Sequence, residues 1–484
     1  MRSMLTSVVA AAMALGLPNA AEASGTTTTT TVPSHPALQV AGDWMGACAL
    51  VRGGEVECWG YNPGGQQGDG TTVTTMTPVA VTGVRGATSV ASGGQSNCAV
   101  VAGGRVKCWG QNQLSNGATG QLGAGGSEDQ SLVPVAVHGL SGVRTLVGDQ
   151  LNYGATGGYC AITYAGKVWC WGENDGVGMA GGPIGNGDLG NGSDEKASGV
   201  PVQVKGLTAP AESLAPDEAG WCALLVTGHV ECWGDNQYNE LGDGHLGSLT
   251  GASGNGIQQF SDIAVPVLHL TGAVSITAAR ATYCAVTRTS VVWCWGGDSA
   301  GTLGDGHNAN PAENYGSDVP VRVLGLANVK SLASNTYTYC ALLTNGNVRC
   351  WGSNGDGNLG NGDLAENYSD APVLVKDLGG VKSLFGAPGN GPNGQVFCVT
   401  LEASPRVKCW GGNGFGMVAS GNSQANFISP PQFAVGMTAV KSIVLGTSGE
   451  IAFALATDGA VWWWGNQDPK YATPQPVPAF GPGQ

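Results

Sequence analysis

The chain has fourteen cysteines, and every one of them sits at a fixed place in a repeating segment. They form pairs ten residues apart: Cys48 with Cys58, Cys98 with Cys108, Cys160 with Cys170, Cys222 with Cys232, Cys284 with Cys294, and Cys340 with Cys350. The last pair, Cys398 with Cys409, is eleven apart, which predicts a bulge around Pro405. Paired thiols either bridge as disulfides or ligate a metal. Zinc is the poorer reading, because Cys-x2-Cys spacing is absent and no histidine recurs with the pairs. In an antiparallel hairpin with an odd-numbered loop, residues equidistant from the centre oppose each other, with Cα atoms roughly 4.5 to 5.5 Å apart, within disulfide reach. An eighth copy of the segment carries Phe453 and Trp463 at the two cysteine positions. Both thiols are lost together there, as two ends of one bond would be.

Other residues offer less. Six histidines (His35, His138, His229, His245, His269 and His307) are scattered, and none recurs in the repeat frame. No nucleophile and base can be paired by spacing, so the sequence nominates no catalytic residue, no cofactor site and no metal ligand. His245 and His307 follow matching Leu-Gly-Asp-Gly runs beside Asp243 and Asp305, and read as solvated loop residues, with metal binding as the alternative. The run Glu313-Asn314-Tyr315-Gly316-Ser317-Asp318 is echoed by Glu366-Asn367-Tyr368-Ser369-Asp370. Glu313, Tyr315, Asp318, Glu366, Tyr368 and Asp370 are therefore candidates for a partner or cation site, against ordinary turn chemistry. A calcium site at Asp356-Gly357-Asn358 is a weaker reading, because the regular EF-hand spacing is missing. Finally, an aromatic residue precedes the first cysteine in five units: Tyr159, Trp221, Tyr283, Tyr339 and Phe397. Such rings either anchor a protein partner or fill space between neighbouring units. Trp59 and Trp351, in the Cys-Trp-Gly motif, read as core.

These residues must be positioned by a repeat of four strand-like runs. The first is exemplified by Val329-Lys330-Ser331-Leu332, the second by the Cys-Ala-Leu run, the third by Val-x-Cys-Trp, and the fourth by a Pro-Val-x-Val run such as Pro320 to Val323. Short β-branched runs separated by Gly, Asn and Asp are strand signals, and the proline opens the fourth run, where a missing donor is tolerated. First cysteines recur every 50 to 62 residues. Four short strands at that period make one blade of a β-propeller, in which no unit buries its apolar face alone. The chain is thus read as all-β, with 42% hydrophobic residues and 82 glycines arguing against disorder.

Unit six, from Val329 through Cys340-Ala341-Leu342, Cys350-Trp351-Gly352-Ser353-Asn354, Leu359-Gly360-Asn361-Gly362 and Pro372-Val373, resembles the regulator of chromosome condensation repeat. The resemblance covers residues 37–480 and implies a propeller, usually of seven blades. Eight complete four-strand units are countable here, so eight blades is the literal reading, and seven the alternative if a terminal unit docks outside the ring. The paired cysteines are similar to those of exported bacterial members, of the alpha-tubulin-suppressor-like type. Nuclear members catalyse nucleotide exchange on a small GTPase and contact chromatin, and a secreted relative inhibits β-lactamases.

Length variation is concentrated in the loops joining strands one to two and three to four, such as 148–159, 386–397, 174–199, 235–264 and 297–318. These emerge on one face, and variable loops on a rigid scaffold are where binding resides. A net charge of −14 argues against nucleic acid as partner and for solubility, or a basic partner or cation. Residues 1–23 read as a signal peptide, with Arg2, a largely apolar stretch over 4–17 and a small-x-small site at Ala21-Glu22-Ala23; 24–36 read as a Thr/Pro-rich tether, and 37–480 as one propeller domain. No later segment is long enough to span a membrane. The expectation is a monomeric, secreted, periplasmic or cell-surface protein, without a cofactor, that binds an unidentified protein through its long-loop face. Secreted inhibitor of an enzyme and polysaccharide-acting propeller enzyme are the alternatives.

Overall fold

The structure, a computed structural model, describes residues 35–114, 117–149, 157–174, 187–217, 219–247, 258–307, 316–387, 395–402, 406–445, 449–466 and 469–480. The expected signal peptide and most of the tether lie outside the described residues. Thirty-two strands form eight sheets, each of four consecutive antiparallel strands. The blades occupy residues 37–80, 89–136, 143–203, 211–266, 273–322, 329–374, 381–438 and 440–476. Eight is therefore the blade number, and no strand is exchanged between blades. First strands contact the first strands of neighbouring blades and so line the centre of the ring. Among the described residues no helix is long and apolar enough to cross a membrane.

Each cysteine pair lies directly opposed across the second and third strands of its blade, from Cys48 opposite Cys58 to Cys398 opposite Cys409. All seven pairs are bonded, with Cα atoms 4.0 to 4.1 Å apart, and no free cysteine remains. This is closer than the spacing expected for opposed residues. In blade 7 the ladder keeps its register from Val396 to Thr400, so the extra residue falls in the turn between Leu401 and Arg406 rather than in a strand. Pro405, where a bulge was expected, lies outside the described residues. Bulges occur elsewhere: the first strand slips by one residue at its start, as between Val329 and Ser331, and the fourth slips opposite the Trp of the motif.

The core is a series of seams between blades. The disulfide face of one blade packs against the Ala and Trp face of the next, as Cys48 and Cys58 pack with Ala99 and Trp109. The indole N–H then crosses the seam to a carbonyl of the preceding blade. Trp109 donates to Gln66 O at 2.8 Å, Trp351 to Thr302 O at 2.9 Å, and Trp464 to Met417 O at 2.8 Å. Trp59 and Trp351 are buried, as read from the sequence. The closing seam is built differently. There Phe453, Trp463 and Phe480 of blade 8 meet Trp59 of blade 1, with Trp59 and Phe453 centroids 5.9 Å apart. Both substitutions for cysteine in the eighth unit thus fall at the seam that closes the ring.

Candidate partner-binding face

In a blade of consecutive antiparallel strands, the one-to-two and three-to-four loops share a face. In six blades the loops on this face are anchored by a buried asparagine two residues after the Trp-Gly pair. Asn354 donates from Nδ2 to the carbonyls of Asp363 (2.7 Å) and Glu366 (2.8 Å), and its Oδ1 accepts the Leu359 N–H at 3.1 Å. Asn112 holds Glu128 O at 2.7 Å, Asn174 holds Glu195 O, and Asn413 holds Ala425 O at 2.9 Å in the same way. Asn62 and Asn236 complete the set. An amide is the right group, since the position must donate two hydrogen bonds and accept one. In blade 5 it is Asp298, whose Oδ1 keeps the acceptor role toward Leu303 N–H at 2.9 Å; burial pushes its carboxyl up to about 6. Sequence reasoning missed these anchors, although the recurrence of Asn after Trp-Gly-x was a visible signal.

The anchored carbonyls belong to acids in three blades, and the side chains of Glu128, Glu195 and Glu366 are exposed. The wider face follows suit. Among the described residues, the one-to-two and three-to-four loops contain 17 acids but only three cations, Lys196, Arg280 and Lys470. In the two-to-three turns and the links between blades the balance reverses, with six Lys and Arg against four acids. Charge is thereby segregated to one face, beyond what the total of −14 reveals.

Other acids are buried where loops meet the seams. Asp43 accepts from Asn97 Nδ2 at 3.1 Å across the first seam, and burial raises its carboxyl to about 7. Glu240 is held well above the usual carboxylate range by burial, with the carboxylates of Asp235 and Asp217 adding to it. Tyr283 is raised by burial and by the carboxylates of Asp217 and Glu240.

The sequence-nominated residues divide. Tyr159, Trp221, Tyr283, Tyr339 and Phe397 are buried in the seams, none more than 4% exposed. Four of them stack on the motif Trp of their own blade, as Tyr339 does on Trp351 at 5.7 Å. Tyr159 Oη bonds Ser96 O at 2.8 Å, and Tyr339 Oη bonds Thr282 O at 2.6 Å, each in the preceding blade. The structure places these rings as packing between blades, not as exposed anchors, because a residue on the seam side of the second strand has nowhere else to go. Glu313 and Tyr315 lie outside the described residues. Glu366 and Tyr368 are exposed, while Asp318 and Asp370 are half-buried in fourth strands and offer their carbonyls to Gly244 and Gly306 of the preceding blade at 2.9 and 2.8 Å. His245 and His307 pair with Asp243 and Asp305, two residues earlier, at 3.1 and 3.0 Å, in separate blades. Asn358, of the weak calcium reading, is buried and bonds Gln395. Among the described residues no three His, Cys, Asp or Glu side chains are grouped to hold a metal ion.

An eight-bladed propeller with disulfide-clipped hairpins and an acid-rich loop face defines the class: a rigid repeat scaffold that presents variable loops. Comparison narrows it. The Regulator of chromosome condensation (RCC1) repeat matches at residues 87–117 and 329–358, and the chain is an RCC1-like repeat protein. It is 27% identical over 373 residues to the mitochondrial RCC1 domain-containing protein RUG3 of Arabidopsis thaliana, covering 72% of this chain and 76% of that one. The Ultraviolet-B receptor UVR8 of the same plant is 26% identical over 349 residues, covering 70% and 68%. A stretch of the mouse E3 ubiquitin-protein ligase HERC2 is 26% identical over 314 residues, 63% of this chain but 6% of the ligase. Among solved structures, yeast RCC1 (Prp20) bound to Kap60 superposes with a TM-score of 0.57 at 16% identity, over 89% of this chain and 94% of that one. Prp20p of Saccharomyces cerevisiae, described with its binding to Gsp1p and histones, gives 0.56 at 17%, over 81% and 89%. At such identities the likeness speaks for the fold.

Proposed function

We propose that the chain is an exported, non-catalytic binding scaffold that receives a cationic protein surface on its long-loop face. The observation that carries this reading is the charge segregation: among the described residues, 17 acids against three cations in the loops of one face. Anchoring by Asn112, Asn174 and Asn354 holds the exposed Glu128, Glu195 and Glu366 in place before a partner arrives, which lowers the ordering cost of binding. Complementary charge would act chiefly on encounter rate and specificity. Seven disulfides form and persist in oxidising compartments, which supports export. Related propellers that bind Gsp1p and histones support a protein as ligand.

The test is capture from native culture fluid with the chain lacking residues 1–23 as bait. A specific protein should be retained at low salt and released as salt shortens the screening length to roughly 3 Å near 1 M. The triple substitution Glu128→Gln, Glu195→Gln, Glu366→Gln should abolish capture while leaving the melting temperature unchanged, because the anchors hold backbone carbonyls. Capture indifferent to both salt and the triple substitution would refute the electrostatic reading. Turnover of a polysaccharide with no protein retained would replace it with the enzyme alternative.

A further inference from the structure

Blade 5 has a cleft lined by two arginines. It lies on the opposite side from the long loops, between the link that enters the blade (residues 267–272) and the turn between its second and third strands. Its volume is about 340 Å³, and its walls include His269, Arg288, Trp293 and Arg322. Trp293 and Arg322 are directly paired across the third and fourth strands, so both side chains project from the same face of the sheet. Arg288 enters from the turn, where its N–H bonds Gly272 O at 2.8 Å.

Two features characterise this cleft. At the position of Trp293, blades 3 and 8 also carry tryptophan, Trp169 and Trp462, whereas blades 2, 6 and 7 carry Lys107, Arg349 and Lys408, and each of these spends its cation internally. Lys107 bonds Gly83 O at 2.9 Å, Arg349 bonds Pro372 O at 3.0 Å, and Lys408 bonds Asp377 O at 2.7 Å. In blade 5, among the described residues, neither the guanidinium of Arg288 or Arg322 nor the indole N–H of Trp293 has a hydrogen-bond or ion-pair partner. The second feature is the backbone. The third position after the fourth strand is a left-handed glycine in four links, Gly83, Gly139, Gly206 and Gly325, at φ 69°, 65°, 90° and 62°. Here it is His269 at φ 58°, as it is Asp377 at φ 56° after blade 6. A side chain is thus carried at a position that favours glycine, and it lines the cleft.

We propose that this cleft binds a hexuronate, a sugar ring bearing a carboxylate. Two guanidinium forks suit a carboxylate, which each can engage through paired N–H donors. The half-buried Trp293 offers a flat apolar surface for the ring, and the hydroxyl of exposed Thr271 with the His269 imidazole suits its hydroxyls. The volume stands at the small end of ligand clefts, which run from roughly 300 to 1,000 Å³, and accommodates a short saccharide. A bare phosphate would engage the arginines but leave the indole unused.

Isothermal titration of the chain lacking residues 1–23 with digalacturonate, galactobiose, inorganic phosphate and an Asp/Glu-rich peptide tests this. Digalacturonate should bind one per chain and galactobiose should not. Arg322→Gln and Arg288→Gln should each weaken binding roughly tenfold, the loss of one charge-assisted contact, and Trp293→Leu should weaken it too. Arg85→Gln, outside the cleft, should leave it unchanged. All four side chains are at least partly exposed, so melting temperatures should match the parent and separate lost binding from lost fold. Absent uronate binding, equal affinity for the neutral disaccharide, tighter binding of phosphate or peptide, or indifference to the arginine substitutions would each overturn the proposal.

Discussion

Asp43 shows how a single side chain ties the long-loop face to the stability of the ring. It is buried at the first seam with Asn97 as its side-chain donor, and burial holds its carboxyl near about 7. In the unfolded chain the same group titrates near 3.9. The folded chain therefore keeps a proton that the unfolded chain has released between about pH 4 and about pH 7. Where the folded state binds more protons, stability falls as pH rises, so this group's penalty grows across that window and is complete above it. Asp298 and Asp356, both raised to about 6 by burial, act in the same direction over a narrower range. Calorimetry is expected to show a melting temperature that declines between about pH 4.5 and pH 7.5 from these groups. Asp43→Asn should flatten the decline and raise the melting temperature at the upper end, since an amide can still accept the surrounding N–H groups without being charged. An unchanged slope in that variant would assign the pH dependence to other groups.

The blade is the scale at which the sequence was most legible. Cysteine spacing set the hairpin register correctly because residues equidistant from a short turn must oppose one another, and Cys340 does face Cys350. What spacing could not reveal were the one-residue slips in the first and fourth strands, which answer to packing across seams rather than to local pattern. Nor did it show which way the rings of Tyr159 and its equivalents would be used, because parity gives a face of the strand but not what covers that face. The role of Asn354 was hidden for a related reason: its partners are carbonyls, and a carbonyl has no sequence signature. Long three-to-four loops were rightly marked as the variable part, yet their charge only becomes a pattern once the topology gathers them on one side. Removing one clip tests the hairpin reading. The double substitution Cys340→Ala, Cys350→Ala should cost about 3 kcal/mol by the loop-closure account of a ten-residue loop, somewhat more once lost packing in this dry seam is added. Chemical denaturation should report the loss, with hydrogen exchange quickening mainly in blade 6. A negligible change would mean that the sheet alone already restrains the hairpin.

For the whole molecule the decisive question is how a ring of like units closes. Seven seams share one design: a disulfide face against a Trp face, with the indole N–H donating backwards across the gap, as Trp410 does to Asn358 O at 2.8 Å. The seam between blades 8 and 1 has neither device. Blade 8 has no disulfide, and among the described residues the buried Nε1 of Trp59 has no hydrogen-bond partner. In exchange it buries more aromatic surface: Phe453 and Phe480 are fully enclosed, and Trp59 packs against both, at 5.9 and 5.6 Å between centroids. Non-directional burial tolerates small errors in fit that a clipped hairpin does not, which suits the one contact that must form between the two ends of the domain. It also concentrates the closing energy in a few rings. Phe453→Ala should therefore cost about 3 to 5 kcal/mol, the range for deleting a buried phenyl ring, and the cost should appear as a local event. Hydrogen exchange is expected to accelerate first in residues 37–60 and 440–465, the two sides of this seam, while the exchange of blades 3 to 6 stays near that of the parent. Because each blade contacts its neighbours alone, opening one seam leaves the others intact. Uniform acceleration around the ring would instead show that the eight blades unfold as a single cooperative unit, and that the cysteine-free eighth blade is not the point where the ring parts.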